Sequence, residues 1–364
     1  MRQDSELSVN LSYLENNFRK LKELAPNNQI IFMVKGNAYG HGIVETSSFA
    51  ADKIKIKNFG VACLGEALTL NQNIPNINIY VFSELNFKDK ISSYFSNSFI
   101  PVISNMRDLE SFITHEKFNN HKFALKFNTG MNRLGFNLSE LNEVIDLLQK
   151  SNIKDIFHVM THFAKSYFKI REGDKTNKQY EEFKKIKGVL KTHFNLLETS
   201  VSNSGAIEQE FGLDETHIRP GLMLYGPRSV NWSGQIVSSL KTKVLTKRLV
   251  KKGEPIGYGG HVCHKEGVLL TIPLGYADGL LTFYSGVKFK IQNFDAKIIA
   301  RINMDICFIF IDSKDLSLVD VGDELYLWDE SQESVSDFCT QANSIPYQLF
   351  TSISSRVERK FYYK

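Results

Sequence analysis

The feature that most limits the fold of this chain is a repeated pairing. A short apolar run is followed by residues at helical spacing, again and again between residue 30 and about residue 221. The runs are "IIFMVK", "FGVACL", "INIYVF", "SFIPVIS", "KFALKF", "DIFHVMTHF", "LLETSVSNS" and "THIRPGLMLYG". Short continuous apolar runs suit strands buried on both faces, and strands alternating with helices are the pattern of a parallel sheet. Eight of them predict an α/β fold closed into a (β/α)8 TIM-like barrel rather than an open doubly wound sheet. The intervening segments support this. In "NLSELNEVIDLLQK" Leu138, Leu141, Ile145 and Leu148 share a face, with Asn137 as N-cap and Glu140 three residues later. Leu11, Leu14, Phe18 and Leu21 repeat the spacing behind Asn10.

After "LYGPRSVNWSG" the pattern changes to β-type runs: "SLKTKVLTKRLV", "GVLLTIPLGY", "VKFKIQ", "AKIIARINMDICFIFID" and "DELYLWD". Helical spacing returns only at "SVSDFCTQANSI". With 364 residues the chain exceeds what one core usually serves. We therefore expect a barrel domain over 1–230 and a mainly β C-terminal domain over 231–364, joined by a Gly/Pro/Ser/Asn segment at 226–235. Roughly residues 1–10 are candidates to pair with the second domain.

Composition narrows the function classes. A net charge of +4 comes from lysines scattered among apolar residues at helical spacing, which reads as solvated helix faces; no nucleic-acid partner is expected. No window approaches 18 apolar residues and the N-terminus lacks a signal-peptide core, so no membrane partner and a cytoplasmic location are expected. Cys63, Cys263, Cys307 and Cys339 lie far apart without a CxxC pair. "HVCH" (His261–His264) has no further ligands nearby in sequence, and no metal site is expected.

Chemistry shows where polar residues interrupt the apolar runs. Lys35 ends the first, Lys126 lies in the fifth with Arg133 just beyond, His162 ends the sixth, Ser204 the seventh, and Arg219 sits in the eighth. In an α/β barrel these ends open onto one face, where active sites lie. A lysine at the edge of an apolar core has a lowered pKa, and a neutral amine can form a Schiff base with an aldehyde. The small residues after Lys35, in "KGNAYGHG", let a bulky cofactor approach the backbone. The bland alternative is a lysine snorkelling at a strand end.

"MVKGNAYGHG" resembles the cofactor-lysine motif of the alanine racemase family, pyridoxal 5'-phosphate enzymes. "KFNTGMNRLGF", "THFA", "SNSGA", "IRPGLMLYG", "LGYADG" and "RINMD" resemble further motifs of that family in its order, across residues 31 to 305. The resemblance implies a barrel plus a β domain and a homodimer with shared active sites. The implied reaction interconverts L- and D-alanine by two-base proton transfer, supplying D-alanine for peptidoglycan.

By resemblance, Lys35 carries the cofactor and serves one face of the substrate. Tyr276 serves the opposite face from the partner subunit, since racemisation removes a proton on one side and returns one on the other. Arg219 matches the residue facing the pyridine nitrogen; a guanidinium offers only donors, so it favours an unprotonated ring nitrogen. Tyr39, Ser204 and the backbone amides of Gly221 and Leu222 match the phosphate site. The other reading of Ser204 is a helix N-cap. His162 and Arg133 match residues near the ring and its phenolic oxygen, Arg133 also at the substrate. Lys126 matches a lysine often carried as a carbamate that holds Arg133. Met304, with Asp305, matches a partner-subunit segment at the substrate, and Arg301 part of the approach corridor.

Two positions depart from the family pattern. Asn128 stands where many relatives have Asp. Ser355 stands where many have a tyrosine that contacts the phosphate and narrows the entrance, so a wider entrance is expected. The alternatives are a racemase of broader specificity, acting on serine or others, or a non-catalytic pyridoxal-phosphate-binding protein. Small proteins of the latter kind lack the second domain, which here holds Tyr276 and Met304. Related decarboxylases place a carboxylate where Arg219 stands.

Overall fold

The computed structural model describes residues 2–83, 87–292 and 294–363. Strand β1 (Arg2–Asn10) leads directly into the helix Leu11–Leu24. Asn10 ends the one and caps the other: its side chain accepts from the amides of Ser12 (3.1 Å) and Tyr13 (3.3 Å), donors that a first helical turn leaves unpaired. Leu14, Phe18 and Leu21 are buried, as their spacing requires.

The barrel strands follow: β2 (Gln29–Met33), β3 (Asn58–Val61), β4 (Asn78–Val81), β5 (Ile100–Ile103), β6 (Ala124–Lys126), β7 (Asp155–Met160), β8 (Asn195–Asn203) and β9 (His217–Arg219). Each pairs in parallel with the next, and β9 returns to β2 with His217 opposite Gln29 and Ile218 opposite Ile30. Closure leaves no strand edge unpaired. Every apolar run singled out in the sequence supplies one of these strands. The fold is an α/β barrel followed by a mainly β region.

That region comprises β10 (Ser238–Lys243), β11 (Thr246–Val250), β12 (Pro255–Ile256), β13 (His261–Val262), β14 (Gly267–Ile272), β15 (Lys288–Ile291), β16 (Phe294–Ile299), β17 (Cys307–Ile311), β18 (Glu324–Trp328) and β19 (Val357–Tyr362). One sheet runs β18-β10-β1-β19 and another β11-β14-β17-β16-β15. The first strand of the chain therefore lies inside a sheet otherwise built from its C-terminal part, antiparallel to β10 and parallel to β19. Burial explains this: Leu7 and Val9 are fully covered there, with Leu7 opposite Leu240.

Residues 226–235, read as a linker, form no regular element but are held tightly. The Glu208 carboxylate accepts from Ser229 Oγ (2.8 Å) and from the amides of Asn231 (3.0 Å) and Trp232 (2.9 Å), and the Trp232 side chain is buried. Two local expectations change. Asn137 and Glu140 do form a capping box, but it caps a 3-10 turn, Leu138–Glu140, that precedes the helix Leu141–Lys150. Leu138 is thereby turned out to solvent, and Val144 takes its place on the buried face. Among the described residues no helix is long and apolar enough to cross a membrane.

Candidate active site

At the C-terminal ends of the barrel strands lies a cavity of about 470 Å³. Lys35, Tyr39, Lys126, Arg133, His162, Ser204, Arg219 and Gly221 line it. Lysine and arginine supply four of these groups, and among the described residues no carboxylate lines the wall. Such a chamber favours an anionic guest.

Lys35 is not the last strand residue, as the apolar run suggested. Strand β2 stops at Met33, and Lys35 opens a tight turn in which Gly36, Asn37, Ala38 and Tyr39 all have positive φ. Three successive non-glycine residues in this region are unusual. Glu66 helps hold the turn: its two carboxylate oxygens accept from the amides of Gly36 (2.7 Å) and Ala62 (2.8 Å), tying the ends of β2 and β3 together. Burial lowers the Lys35 pKa, the Arg133 guanidinium lowers it further, and Glu66 opposes them. The amine thus gains nucleophilic character.

The same turn swings Tyr39 back into the barrel mouth. Its ring lies 5.0 Å from that of Tyr225 and 5.9 Å from that of Tyr347. A Cβ added to Gly221 would sit 3.0 Å from Tyr39 Cζ and nearer still to its Oη, so glycine is what lets the phenol reach the cavity wall. Ser204 Oγ accepts from the amides of Gly221 (3.0 Å) and Met223 (3.4 Å). Leu222 is absent from the lining and opens the 3-10 turn Leu222–Tyr225, so the second amide at this serine is that of Met223. Nor is Ser204 the N-cap. Asn203 caps the short turn Ser204–Ile207 by accepting from Ala206 N (3.2 Å), which leaves the serine as its first residue with its hydroxyl toward Gly221.

Arg219 ends β9 and is buried. It donates to Ser200 Oγ, to Thr161 O and, at 3.3 Å, to Val201 O. Burial pulls its pKa down to about 9, leaving it a cation at neutral pH. Lys126, the last residue of β6, is buried among Arg133, Arg219 and Lys35. Desolvation first and then those charges lower its pKa to about 8. The same cations, after desolvation, hold His162 well below the usual imidazole range and therefore neutral. Arg133 sits on an exposed loop shaped by Asn128, whose Oδ1 accepts from Gly130 N (3.2 Å) and Asn132 N (2.9 Å). An amide there performs the turn-building that a carboxylate oxygen could equally perform.

Tyr276 and Met304 lie outside this cavity, on the second region, and are 43% and 53% exposed. Their loops are zipped together: Tyr276 N donates to Asn303 O and Ala277 N to Met304 O, each at 3.0 Å. A Cβ on Gly275 would collide with Met304 O, so the zipper needs that glycine. Arg356 secures the base of the same platform through Asp278 (3.1 Å) and Asp305 (2.7 Å). Arg301, on the same region, is exposed beside Gly259.

Ser355 is exposed and does not line the cavity. A phenol reaches the cavity from elsewhere: Tyr347, on the helix Pro346–Ser352, stands beside Tyr39. Sequence reasoning missed it. The one local signal was "SIPYQLF", in which Pro346 marks a helix start. Reading missed Asn203 and Glu66 as well, since each acts through a neighbour's backbone. His261 and His264 have ring centroids 6.0 Å apart on an exposed hairpin.

Residues 9–229 match the family described as alanine racemase, N-terminal domain, and residues 237–361 match alanine racemase, C-terminal domain. The chain is 31% identical to an alanine racemase of Thermodesulfovibrio yellowstonii, over 98% of this chain and 97% of that one. It is 30% identical to one of Clostridium kluyveri, over 97% and 93%. Among solved structures, alanine racemase of Clostridium difficile superposes with a TM-score of 0.89 at 26% identity, covering all of this chain and 97% of that one. The biosynthetic alanine racemase of Pseudomonas aeruginosa gives 0.86 at 26%, covering both chains fully. A barrel whose mouth gathers lysine, phenol and guanidinium groups, followed by this β region, belongs to the alanine racemase family of enzymes.

Proposed function

We propose that this protein interconverts L- and D-alanine with pyridoxal 5'-phosphate, as a homodimer in the cytoplasm, and so supplies D-alanine for peptidoglycan. The observation that carries the reading is the chamber itself. A lysine of lowered pKa faces a cradle of Tyr39, Ser204 and Gly221, with cations around it and no carboxylate among the described lining residues. The donors suit a phosphate, and the space that a Cβ on Gly221 would fill suits a group pressed against backbone. A solved alanine racemase from Bacillus anthracis, 25% identical, is described with bound L-Ala-P. Four unpaired cysteines suit a reducing compartment.

In this reading residues 1–230 bind the cofactor and residues 231–364 reach the partner's cavity. When bound, pyridoxal phosphate supplies the electron sink that acidifies the substrate Cα–H. Lys35 holds the cofactor and moves a proton at its Nζ on one face; Tyr276 of the partner subunit does so at its Oη on the other. Arg219, which lines the cavity and carries donors alone, would face the ring nitrogen and temper the sink, as suits a reaction that moves only a proton. Lys126, its pKa pulled down to about 8, has a neutral fraction at physiological pH that is able to take up carbon dioxide as a carbamate, its protons leaving to solvent, and so turns an unfavourable cation into an anion that steadies Arg133. Neutral His162 lines the same cavity and would stand beside the ring. Tyr347 supplies the bulk that Ser355 lacks and favours alanine over larger substrates; nucleic acid and membrane play no part.

The test is chiral analysis of alanine after incubation with purified protein and cofactor, together with borohydride trapping and peptide mapping. Interconversion with the label on Lys35 is expected. Label on another lysine, or no racemisation of any amino acid by cofactor-loaded protein, overturns the reading.

A further inference from the structure

The interior of a (β/α)8 barrel is ordinarily filled by layers of branched apolar side chains. Here one layer is polar. His158 on β7, Glu198 on β8, His217 on β9 and Tyr80 on β4 meet in the lumen. β4 and β7 are not neighbours in the barrel, so the contact between Tyr80 and His158 crosses it. Both histidines and Tyr80 are fully buried. A buried polar group without a full set of partners is costly and calls for a reason.

The distances suggest one. Tyr80 Oη donates to Glu198 Oε2 at 2.8 Å, a proton that an ion would displace, and lies 3.3 Å from His158 Nδ1. Glu198 Oε2 lies 3.2 Å from His158 Nδ1 and 3.6 Å from His217 Nε2. A zinc ion with bonds of about 2.0–2.1 Å places tetrahedral ligands about 3.3–3.4 Å apart. These spacings bracket that edge length, and the two histidines and the carboxylate offer ligand atoms within 4.8 Å of one another.

One ring, that of His217, is already arranged as a metal ligand needs it. His217 Nδ1 lies 2.9 Å from Thr216 Oγ1, whose own hydrogen goes to Thr199 O, so Nδ1 is the protonated nitrogen. His217 Nε2 is then left with a lone pair, buried, without a hydrogen-bond partner and pointing at a carboxylate. Two electron-rich atoms facing each other repel unless a proton, a water or a metal ion lies between them. On the other side His158 Nε2 lies 2.7 Å from Ser200 Oγ and Nδ1 lies 3.2 Å from Glu198 Oε2, a contact that an ion between the two would replace. Hydroxyls that fix the tautomer of a ligating imidazole are the usual outer shell of such sites. Glu198 keeps 22% of its side chain exposed, giving an ion access from solvent.

We infer that His158, Glu198, His217 and Tyr80 form a structural binding site for a late first-row divalent cation of the zinc class inside the barrel, separate from the pyridoxal phosphate cavity. Two protein anions, the carboxylate and a phenolate formed on binding, balance the ion, and the phenol's proton leaves to solvent. Ser200 also receives the Arg219 guanidinium, so an ion here stiffens the floor of the cavity above.

The experiment uses the full chain, chelator-stripped and then titrated with Zn2+, and in parallel with Co2+ as a coloured probe. After gel filtration we expect about one ion per chain and an unfolding temperature that climbs with free Zn2+. The cobalt protein should show the intense visible absorption of a tetrahedral site. Glu198→Gln and His217→Phe should each weaken Zn2+ retention at least about tenfold. Should those variants fail to fold, Tyr80→Phe provides the arm, shifting the cobalt spectrum. The inference is overturned if the wild type retains no zinc and its unfolding temperature ignores it, if retention survives Glu198→Gln and His217→Phe, or if bound cobalt is octahedral. The first result would mean that a shared proton or water satisfies the cluster; the second would move the ion to sites such as His261 and His264.

Discussion

Replacing Gly221 with alanine tests the proposed phosphate cradle directly. The added Cβ would stand 3.0 Å from Tyr39 Cζ, 3.6 Å from Met33 Cβ, and inside contact distance of Tyr39 Oη. Tyr39 has little room to yield. Its ring is wedged between Tyr225 and Tyr347, and its backbone is fixed in a run of positive φ. Overpacking of this kind costs about 1–3 kcal/mol. Tilting the phenol away would also break the charge-assisted hydrogen bond proposed between Tyr39 and the cofactor phosphate, worth about 1.5–3 kcal/mol. At about 1.4 kcal/mol per decade, the loss of that bond alone weakens cofactor binding by about ten- to a hundredfold. The assay is titration of cofactor-free protein with pyridoxal phosphate, following its absorbance. Tyr39→Phe should lose a similar amount. Because it removes the atom that collides, adding Gly221→Ala to it should cost little more, so the two changes should be strongly non-additive. A Kd for Gly221→Ala within about twofold of wild type, or losses that simply add, would refute the reasoning.

Three further outcomes are expected. Mixing inactive Lys35→Ala protein with inactive Tyr276→Phe protein should restore some racemase activity, since a hybrid dimer keeps one site with both residues intact; no recovery despite demonstrated subunit exchange would count against a shared site. Tyr347→Ala should raise kcat/KM for serine relative to alanine, because it empties the space beside Tyr39; an unchanged ratio would remove Tyr347 from the specificity argument. Lys126→Met should stabilise cofactor-free protein in carbonate-free buffer by at most about 3 kcal/mol, and most at or below pH 8. The sign follows from linkage: the native pKa, about 8, lies below the unfolded value of 10.5, so between them the unfolded chain binds the extra proton and wild-type stability rises with pH. The advantage of the variant should therefore fade from pH 8 to 10.5 in urea denaturation, and an advantage that grows across that window would contradict the burial of a charged Lys126.

Periodicity determined the architecture. Eight apolar runs interleaved with helical faces leave a chain few options besides a closed parallel barrel, and the switch to β-type runs after residue 236 required a second region. Local chemistry was equally legible where it acts within a few residues, as with Asn10 capping its helix or Lys35 placed where an apolar strand meets a turn. Contacts between residues far apart in sequence left no local trace. Tyr347 enters the cavity more than 300 positions after Lys35 because a helix of the β region packs over the barrel mouth. Glu66 reaches Gly36 only because β2 and β3 lie side by side, and β1 finds its place between β10 and β19 only when the chain's two ends meet. The polar layer of His158, Glu198, His217 and Tyr80 is the sharpest case. Each residue sits inconspicuously within an ordinary strand run. Only closing the barrel turns four separate strands inward on one another, and two buried imidazoles and a buried phenol then share one small volume with a carboxylate that is partly exposed.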